Sequence, residues 1–315
     1  MELLRLIGDH PRYDLVAASS RSLFGRNVGE VTVQQATKQG MILSKEGTQM
    51  LKSVTFSNIS PAECARIDVD LWFLALPNGL AAKYVRAIND TGTPARIIDL
   101  SADYRFSSDW VYGLSEKNRH LIKGANRISN PGCYATAAQF AVLPLLPYLE
   151  KDCPPRIFGI SGYSGAGTTP GPKNDPDTLR NNLIPYSLSG HIHEREVSRH
   201  LKRDVYFMPH VASFFRGIHL TVHMALDGPS TAEDLRMLYR TYYADEPLVH
   251  VLSDPHVAEN VGRHHAAVGN FTVGQAGRSA VVTATIDNLL KGAATQAVQN
   301  ANLSFGLEEY EGLRL

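Results

Sequence analysis

Four short apolar runs, at residues 15–18, 69–76, 96–100 and on the approach to Asn130, each stop at a polar turn, and a helical pattern at 80–89 lies between two of them. Short apolar strands alternating with helices point to a parallel α/β sheet. Ligands of such sheets bind beyond the carboxyl ends of the strands. Three of those ends read Ser19-Ser20-Arg21, Pro77-Asn78-Gly79 and Ser101 through Arg105. After residue 133 the pattern changes. Residues 156–160, 205–211, 218–226 and 280–286 read as strands, and 194–201 and 231–243 as helices. In 218–226 the residues Ile218, Leu220, Val222, Met224 and Leu226 share one face, opposite His219, Thr221, His223 and Ala225. One apolar and one mixed face predict an antiparallel sheet covered on one side, and that alternation already accounts for His219 and His223 as packing or interface residues. A chain of 315 residues has room for both domains.

The join between the two halves is Ser129-Asn130-Pro131-Gly132-Cys133-Tyr134-Ala135-Thr136-Ala137-Ala138. Asn130-Pro131-Gly132 is a turn cluster, and the Ala-rich run that follows predicts a helix over 133–142. Cys133 therefore falls in the first turn, where unpaired N–H groups and the helix dipole stabilise a thiolate. Such positions lower a cysteine pKa from about 8.5 toward 3.5–7.5. The same N–H groups suit a developing oxyanion. A small buried helix residue is the competing reading.

Lys plus Arg and Asp plus Glu both total 31, so no basic excess points to nucleic acid. Cys64, Cys133 and Cys153 have neither metal-type nor disulfide-framework spacing, which suits a reducing compartment. The longest apolar run, 133–149, is interrupted by Gln139, Pro144 and Pro147 and does not read as a membrane span. His191-Ile192-His193 has no third ligand nearby, so no metal is expected. The Gly-, Pro- and Asn-rich loop 162–177 is long enough to be functional, and Ser164-Gly165-Ala166-Gly167 allows close approach of backbone to a ligand. Arg105, just past a strand end, fits a phosphate bidentately or else pairs with Asp103 or Asp109 at the surface. Ser19-Ser20-Arg21 carries no acid; it is either an ordinary turn or an NADP-type ribose site.

The cysteine motif resembles that of the N-acetyl-gamma-glutamyl-phosphate reductases, relatives of the aspartate-semialdehyde dehydrogenases. Ile98-Asp99-Leu100-Ser101-Ala102-Asp103-Tyr104-Arg105-Phe106, the run Ser161 to Gly167 and Ile286-Asp287-Asn288-Leu289-Leu290-Lys291-Gly292-Ala293 match the same family in order, over nearly the whole chain. The segment 173–196 is most similar to the fungal form, which is fused to an acetylglutamate kinase and sorted to mitochondria. The resemblance implies an α/β fold: a Rossmann-type NADP-binding domain at 1–132, an α+β catalytic and dimerisation domain with a mostly antiparallel sheet at 133–287, and a helix at 288–315 returning to the first domain. It implies Cys133 as nucleophile and one histidine of Gly190-His191-Ile192-His193 as general base, His193 first and His191 second. Arg105, Asn130, Ser161, Arg216 and Glu196 become substrate contacts. Ser19, Ser20, Arg21, Pro77, Asn78, Gly79, Ser164, Gly165 and Asn288 become cofactor contacts, with Asn288 near the nicotinamide.

The implied reaction is NADPH-dependent reduction of N-acetyl-L-glutamyl 5-phosphate to the 5-semialdehyde in arginine biosynthesis, by a homo-oligomer in the mitochondrial matrix or otherwise the cytoplasm. An aminoadipate-type or aspartate-semialdehyde enzyme, or a non-catalytic scaffold, are the alternatives. The family's first strand and Gly-rich turn, which seat the pyrophosphate, have no counterpart before the helix pattern at Glu2. The expectation is therefore a dinucleotide domain incomplete at its N-terminus, with weak NADPH binding by this stretch alone and any import signal outside it.

Overall fold

The structure, a computed structural model, describes residues 1–92, 94–167 and 169–315, with only the backbone of Gln275. The chain divides into two compact units, Met1–Pro131 with Ala294–Arg314, and Gly132–Ala293 with Leu315.

The first unit opens with α1 (Glu2–Asp9), α2 (Val28–Lys38), α3 (Lys45–Lys52) and α4 (Pro61–Cys64). The last three begin at capping side chains: Asn27 accepts from Glu30 N, Ser44 accepts from Gly47 N, and Ser60 with Glu63 forms a capping box. There follow β1 (Leu71–Leu74), α5 (Ala81–Asn89), β2 (Arg96–Asp99), β3 (Val111–Tyr112), α6 (Ser115–Ile122) and β4 (Arg127–Ser129). The strands form a parallel sheet in the order β1-β2-β4-β3. Successive residues of β2 enter different cores: Ile97 joins Leu74, Val85 and Ile88, while Ile98 joins Ile122 and Ile128. Both faces of the sheet are thus covered, as a parallel sheet requires.

Residues 15–18, expected as a strand, do not form one. The segment touches its neighbour at a single parallel bridge, Ser19 to Ser57, where Ser57 N donates to Ala18 O and Ser20 N to Ser57 O. An apolar run becomes a strand only beside a partner that follows it, and the pairing here ends after one position.

The second unit contains α7 (Cys133–Val142), β5 (Arg156–Gly162), α8 (Pro176–Leu179), β6 (Leu183–Pro185), α9 (Ile192–Leu201), β7 (Tyr206–Ala212), β8 (Ile218–Ala225), α10 (Ala232–Tyr242), β9 (Val249–Val251), α11 (Val257–Asn260), β10 (Ala266–Val273) and β11 (Ser279–Ile286). Its sheet runs β6-β7-β5-β8-β11-β10-β9, parallel only at β5–β7 and β9–β10. Ile218, Leu220, Val222 and Met224 are fully buried, whereas Phe158 and Tyr206 stand exposed on the sheet. Helix α7 packs on β8 and β11, so the core of this unit lies directly under the cysteine helix.

The helix expected within 288–315 is a π-helical turn, Leu290–Ala294, followed by α12 (Thr295–Phe305), which belongs to the first unit. Asp287 sets the turn: its carboxylate accepts from Leu289 N and Leu290 N, and its carbonyl accepts from Gly292 N. Gly292 is obligatory there, because a Cβ would sit 2.7 Å from that of Cys133. In the first unit the buried amides of α12 serve as ties, Gln296 donating to Gly113 O and Asn300 to Asn130 Oδ1. No helix among the described residues is long and apolar enough to cross a membrane.

Candidate active site

In the second unit Cys133 is the first residue of α7, partly exposed, and its N-cap is Gly132, which has no side chain to satisfy the first-turn N–H groups. The turn is held from behind. Glu196, fully buried on α9, accepts the Gly132 N–H through Oε1 at 2.8 Å. Glu196 thus fixes the backbone beside the thiol.

His191 is the N-cap of α9, and its Nδ1 accepts from His193 N at 3.1 Å. That bond requires Nδ1 to be unprotonated and places the ring proton on Nε2. Burial lowers the His191 pKa, with Glu194 opposing. His191 is therefore a neutral capping imidazole with its acceptor nitrogen already engaged. The ring of His193 lies 4.9 Å from that of His191 and 5.9 Å from that of Tyr134. Glu194 accepts from Gly190 N and Phe207 N, and so fixes the loop that carries the histidines.

Two tyrosines complete this group. Tyr186 is pushed up to about 12, first by burial and then by the negative charge that ionisation of Cys133 would place near it. Tyr134 is raised further, again first by burial, and its hydroxyl donates to His210 O at 2.8 Å. Tyr134 and Tyr186 each influence the other's titration, and Lys173 stands 4.7 Å over the Tyr186 ring. The sequence alone does not mark Tyr186 or Lys173 as site residues. Nothing in Ile184-Pro185-Tyr186-Ser187 distinguishes this tyrosine from a surface one; only β6 pairing with β7 sets it beside α7 and α9.

A second knot in the same unit gathers Arg216, Asn288, Ser161, Ser164 and Gly165. Buried Arg216 donates through Nη2 to Asp287 at 2.8 Å. Asn288 Oδ1 accepts from Gly217 N at 2.7 Å, and its Nδ2 donates to Ser164 Oγ at 3.0 Å. Ser161 Oγ donates to Gly162 O, and a Cβ on Gly165 would meet that Oγ at 2.9 Å and Asn288 Nδ2 at 3.5 Å. The loop beyond is tied by Asn174, which accepts from Gly171 N and donates to Gly167 O. Thr168 within it lies outside the described residues.

In the first unit Arg105 is 7% exposed, and its Nε and Nη2 donate to the carbonyls of Asn130 at 2.9 Å and Leu100 at 2.8 Å. Both are neutral acceptors at strand ends, and the two bonds orient the guanidinium. Asn130 is fixed in turn by Asn300 and by its N–H on Asp99 O. Asp103 instead accepts from Gly79 N and Ala81 N. Pro77-Asn78-Gly79 is exposed at the carboxyl end of β1, and Gly79, at φ +85°, has open space where a Cβ would point. Ser19 and Arg21 are exposed, Ser20 less so, and Ser19 Oγ accepts from Ile59 N. Among the described residues no group of three or more His, Cys, Asp or Glu stands together as a metal site.

The semialdehyde dehydrogenase NAD binding domain matches residues 1–125, and the semialdehyde dehydrogenase dimerisation domain matches residues 133–288. An N-acetyl-gamma-glutamyl-phosphate reductase of Xylella fastidiosa is 48% identical over 98% of this chain and 87% of its own length. The chain belongs to this family. The mitochondrial protein arg-6 of Neurospora crassa is 47% identical over 99% of the chain, which spans only 35% of that protein's length. In fold the chain is similar to an aspartate semialdehyde dehydrogenase of Candida albicans solved with NADP, at a TM-score of 0.68 and 14% identity, covering 96% of this chain and 93% of that one.

Proposed function

We propose that the chain is a nicotinamide-dependent reductase of an acyl phosphate, converting N-acetyl-L-glutamyl 5-phosphate to N-acetyl-L-glutamate 5-semialdehyde for arginine biosynthesis. The observation that carries this is Cys133 at the start of α7, which has no side-chain cap, with α9 packed on α7 and carrying an imidazole pair in which His191 Nδ1 is engaged as a cap.

The residues present fit a dinucleotide. The exposed Pro77-Asn78-Gly79 turn lies at the carboxyl end of a parallel strand, with unfilled space at Gly79, and Ser19-Ser20-Arg21 offers a cation in place of an acid. Arg21 with Ser19 and Ser20 would hold the additional phosphate of NADP, Pro77, Asn78 and Gly79 the adjoining part, and Ser164, Gly165 and Asn288 the nicotinamide end. When bound, the cofactor supplies a hydride equivalent.

Cys133 thiolate attacks the acyl carbon, and the tetrahedral oxyanion is held by first-turn N–H groups of α7. The C–O bond to phosphate breaks; Arg105 holds the departing anion, and Cys133 is left as a thioester. The thioester carbonyl carbon accepts the hydride. His193 moves the proton on the resulting hemithioacetal oxygen as the C–S bond breaks, which frees semialdehyde and thiolate. Asn130, Ser161, Arg216 and Glu196 position substrate or the groups that touch it.

The matched dimerisation domain and the sheet face bearing Phe158, Tyr206 and Leu183 support a homo-oligomer in which a second copy covers that face. The fungal likeness supports a mitochondrial location, and the chain's span of only 35% of that relative leaves room there for the acetylglutamate kinase proposed as its associated domain. The test is the reverse reaction of the intact protein with phosphate, NADP and each of three semialdehydes: N-acetylglutamate, aspartate and aminoadipate. Turnover with the first alone, lost in Cys133→Ser with folding retained, is expected. A preference for another semialdehyde overturns the substrate, and a tenth or more of parent activity in Cys133→Ser overturns the nucleophile.

A further inference from the structure

The proposed function gives Arg105 the substrate phosphate and Pro77-Asn78-Gly79 the cofactor, and a link between the two loops rests on both assignments. The loops are tied reciprocally. Asn78 Oδ1 accepts from Ala102 N at 2.9 Å, while Asp103 Oδ1 and Oδ2 accept from Gly79 N at 2.6 Å and Ala81 N at 2.9 Å. Each loop therefore satisfies backbone donors of the other. The Ala102 peptide passes the tie onward, since its carbonyl accepts from Arg105 N at 3.4 Å. Asp103 is itself anchored: its N–H donates to Ser101 Oγ at 3.2 Å, and that hydroxyl donates to buried Asp99 at 2.7 Å. The exposed turn at 77–79 has little packing of its own to set its conformation, so these bonds are what order it.

We propose that Asp103 is a positioning residue that couples the two loops, so that phosphate at Arg105 and NADPH at the Pro77-Asn78-Gly79 turn each tighten the binding of the other. Asp103 touches neither ligand. Ordering one loop removes part of the ordering cost that the other ligand would meet, and such coupling is reciprocal. A reductase built this way favours the complex holding both cofactor and acyl phosphate over either alone. If Asp103 served only to cap α5, its loss would change stability or cofactor affinity but not the dependence of that affinity on phosphate.

The experiment titrates the intact protein with NADPH, with no phosphate and with saturating inorganic phosphate, in the parent, Asp103→Ala, Asp103→Asn and Arg105→Lys. Thermal unfolding checks that each variant folds. Phosphate is expected to tighten NADPH in the parent by about fivefold or more, the lower end of ordinary coupling. Asp103→Ala brings the ratio to near one, and Asp103→Asn, with one acceptor left, gives an intermediate value and carries the test if the alanine variant does not fold. A parent ratio of one overturns the coupling. So does a full ratio retained in the Asp103 variants while Arg105→Lys abolishes the phosphate response. A phosphate response untouched by Arg105→Lys overturns the phosphate assignment and the coupling with it.

Discussion

Asp287→Ala is expected to be among the most destabilising single changes in the second unit. The carboxylate is fully buried and accepts four donors: Arg216 Nη2 at 2.8 Å, Gly262 N at 2.7 Å, Leu289 N at 2.9 Å and Leu290 N at 3.1 Å. Removing one partner of a buried ion pair costs about 3–5 kcal/mol. The buried Leu290 N–H loses its acceptor as well, which adds about 1–3 kcal/mol, while the Gly262 N–H is nearer solvent and rehydrates at less cost. A loss of about 4–8 kcal/mol is thus expected, out of the roughly 5–15 kcal/mol that folded proteins possess. Urea unfolding followed by fluorescence measures it. The double variant Arg216→Met/Asp287→Leu separates the two contributions. An isolated buried pair replaced by apolar residues is often neutral or better. Here the backbone donors remain without their carboxylate, so the double variant should stay about 1–3 kcal/mol below the parent. A loss below about 1 kcal/mol for Asp287→Ala, or parent stability in the double variant, would refute the idea that this carboxylate holds the loop carrying Asn288.

His191→Asn should keep the α9 cap and most of kcat, because Asn is a good N-cap, whereas His193→Asn should lower kcat by about 10²–10⁴-fold; the reverse order in steady-state kinetics would exchange the two roles. Iodoacetamide should label Cys133 far ahead of Cys64, which is buried and pushed up to about 11 by that burial, and equal rates by mass spectrometry would count against thiolate character at α7. His265 stacks on His250 at 3.8 Å and is lowered to about 4 by burial, then by His250 and Arg263. Its folded pKa lies below the unfolded value of 6.5, so its contribution to stability is complete above pH 6.5 and is lost as pH falls toward 4. The urea midpoint should fall through that window, and His265→Gln should flatten the fall; an unchanged slope would show that the imidazole pair does not titrate this way.

Legibility in the sequence depended on whether a local signal and its tertiary setting agreed. The helix expected over 133–142 begins and ends where the Ala-rich run does, because the Asn-Pro-Gly turn, the uncapped start and the buried apolar face all favour the same boundary. The alternation in β8 is equally plain, since one face alone is buried there. β10 is hidden for the opposite reason. Gly269-Asn270 looks like a turn, but the structure uses it as a bulge, with Asn270 at φ 52° and the register to β11 shifting between Gly269 and Thr272. The helices α2 to α4 lie outside the expected elements although they carry capping signals, Asn27 before Glu30 and Ser60 before Glu63. For chemistry, residue type and motif pointed to Cys133 and the two histidines in the second unit and to Arg105 in the first. What they could not supply was the division of labour among them. That His191 caps α9, that Glu196 grips Gly132 and that Asp103 faces Gly79 and Ala81 all depend on which backbone donor each side chain meets. Those meetings join residues as far apart as Gly132 and Glu196, where no spacing rule operates. A family motif therefore identifies the groups able to react, while the buried side chains that orient them are found only by following each backbone N–H to its acceptor.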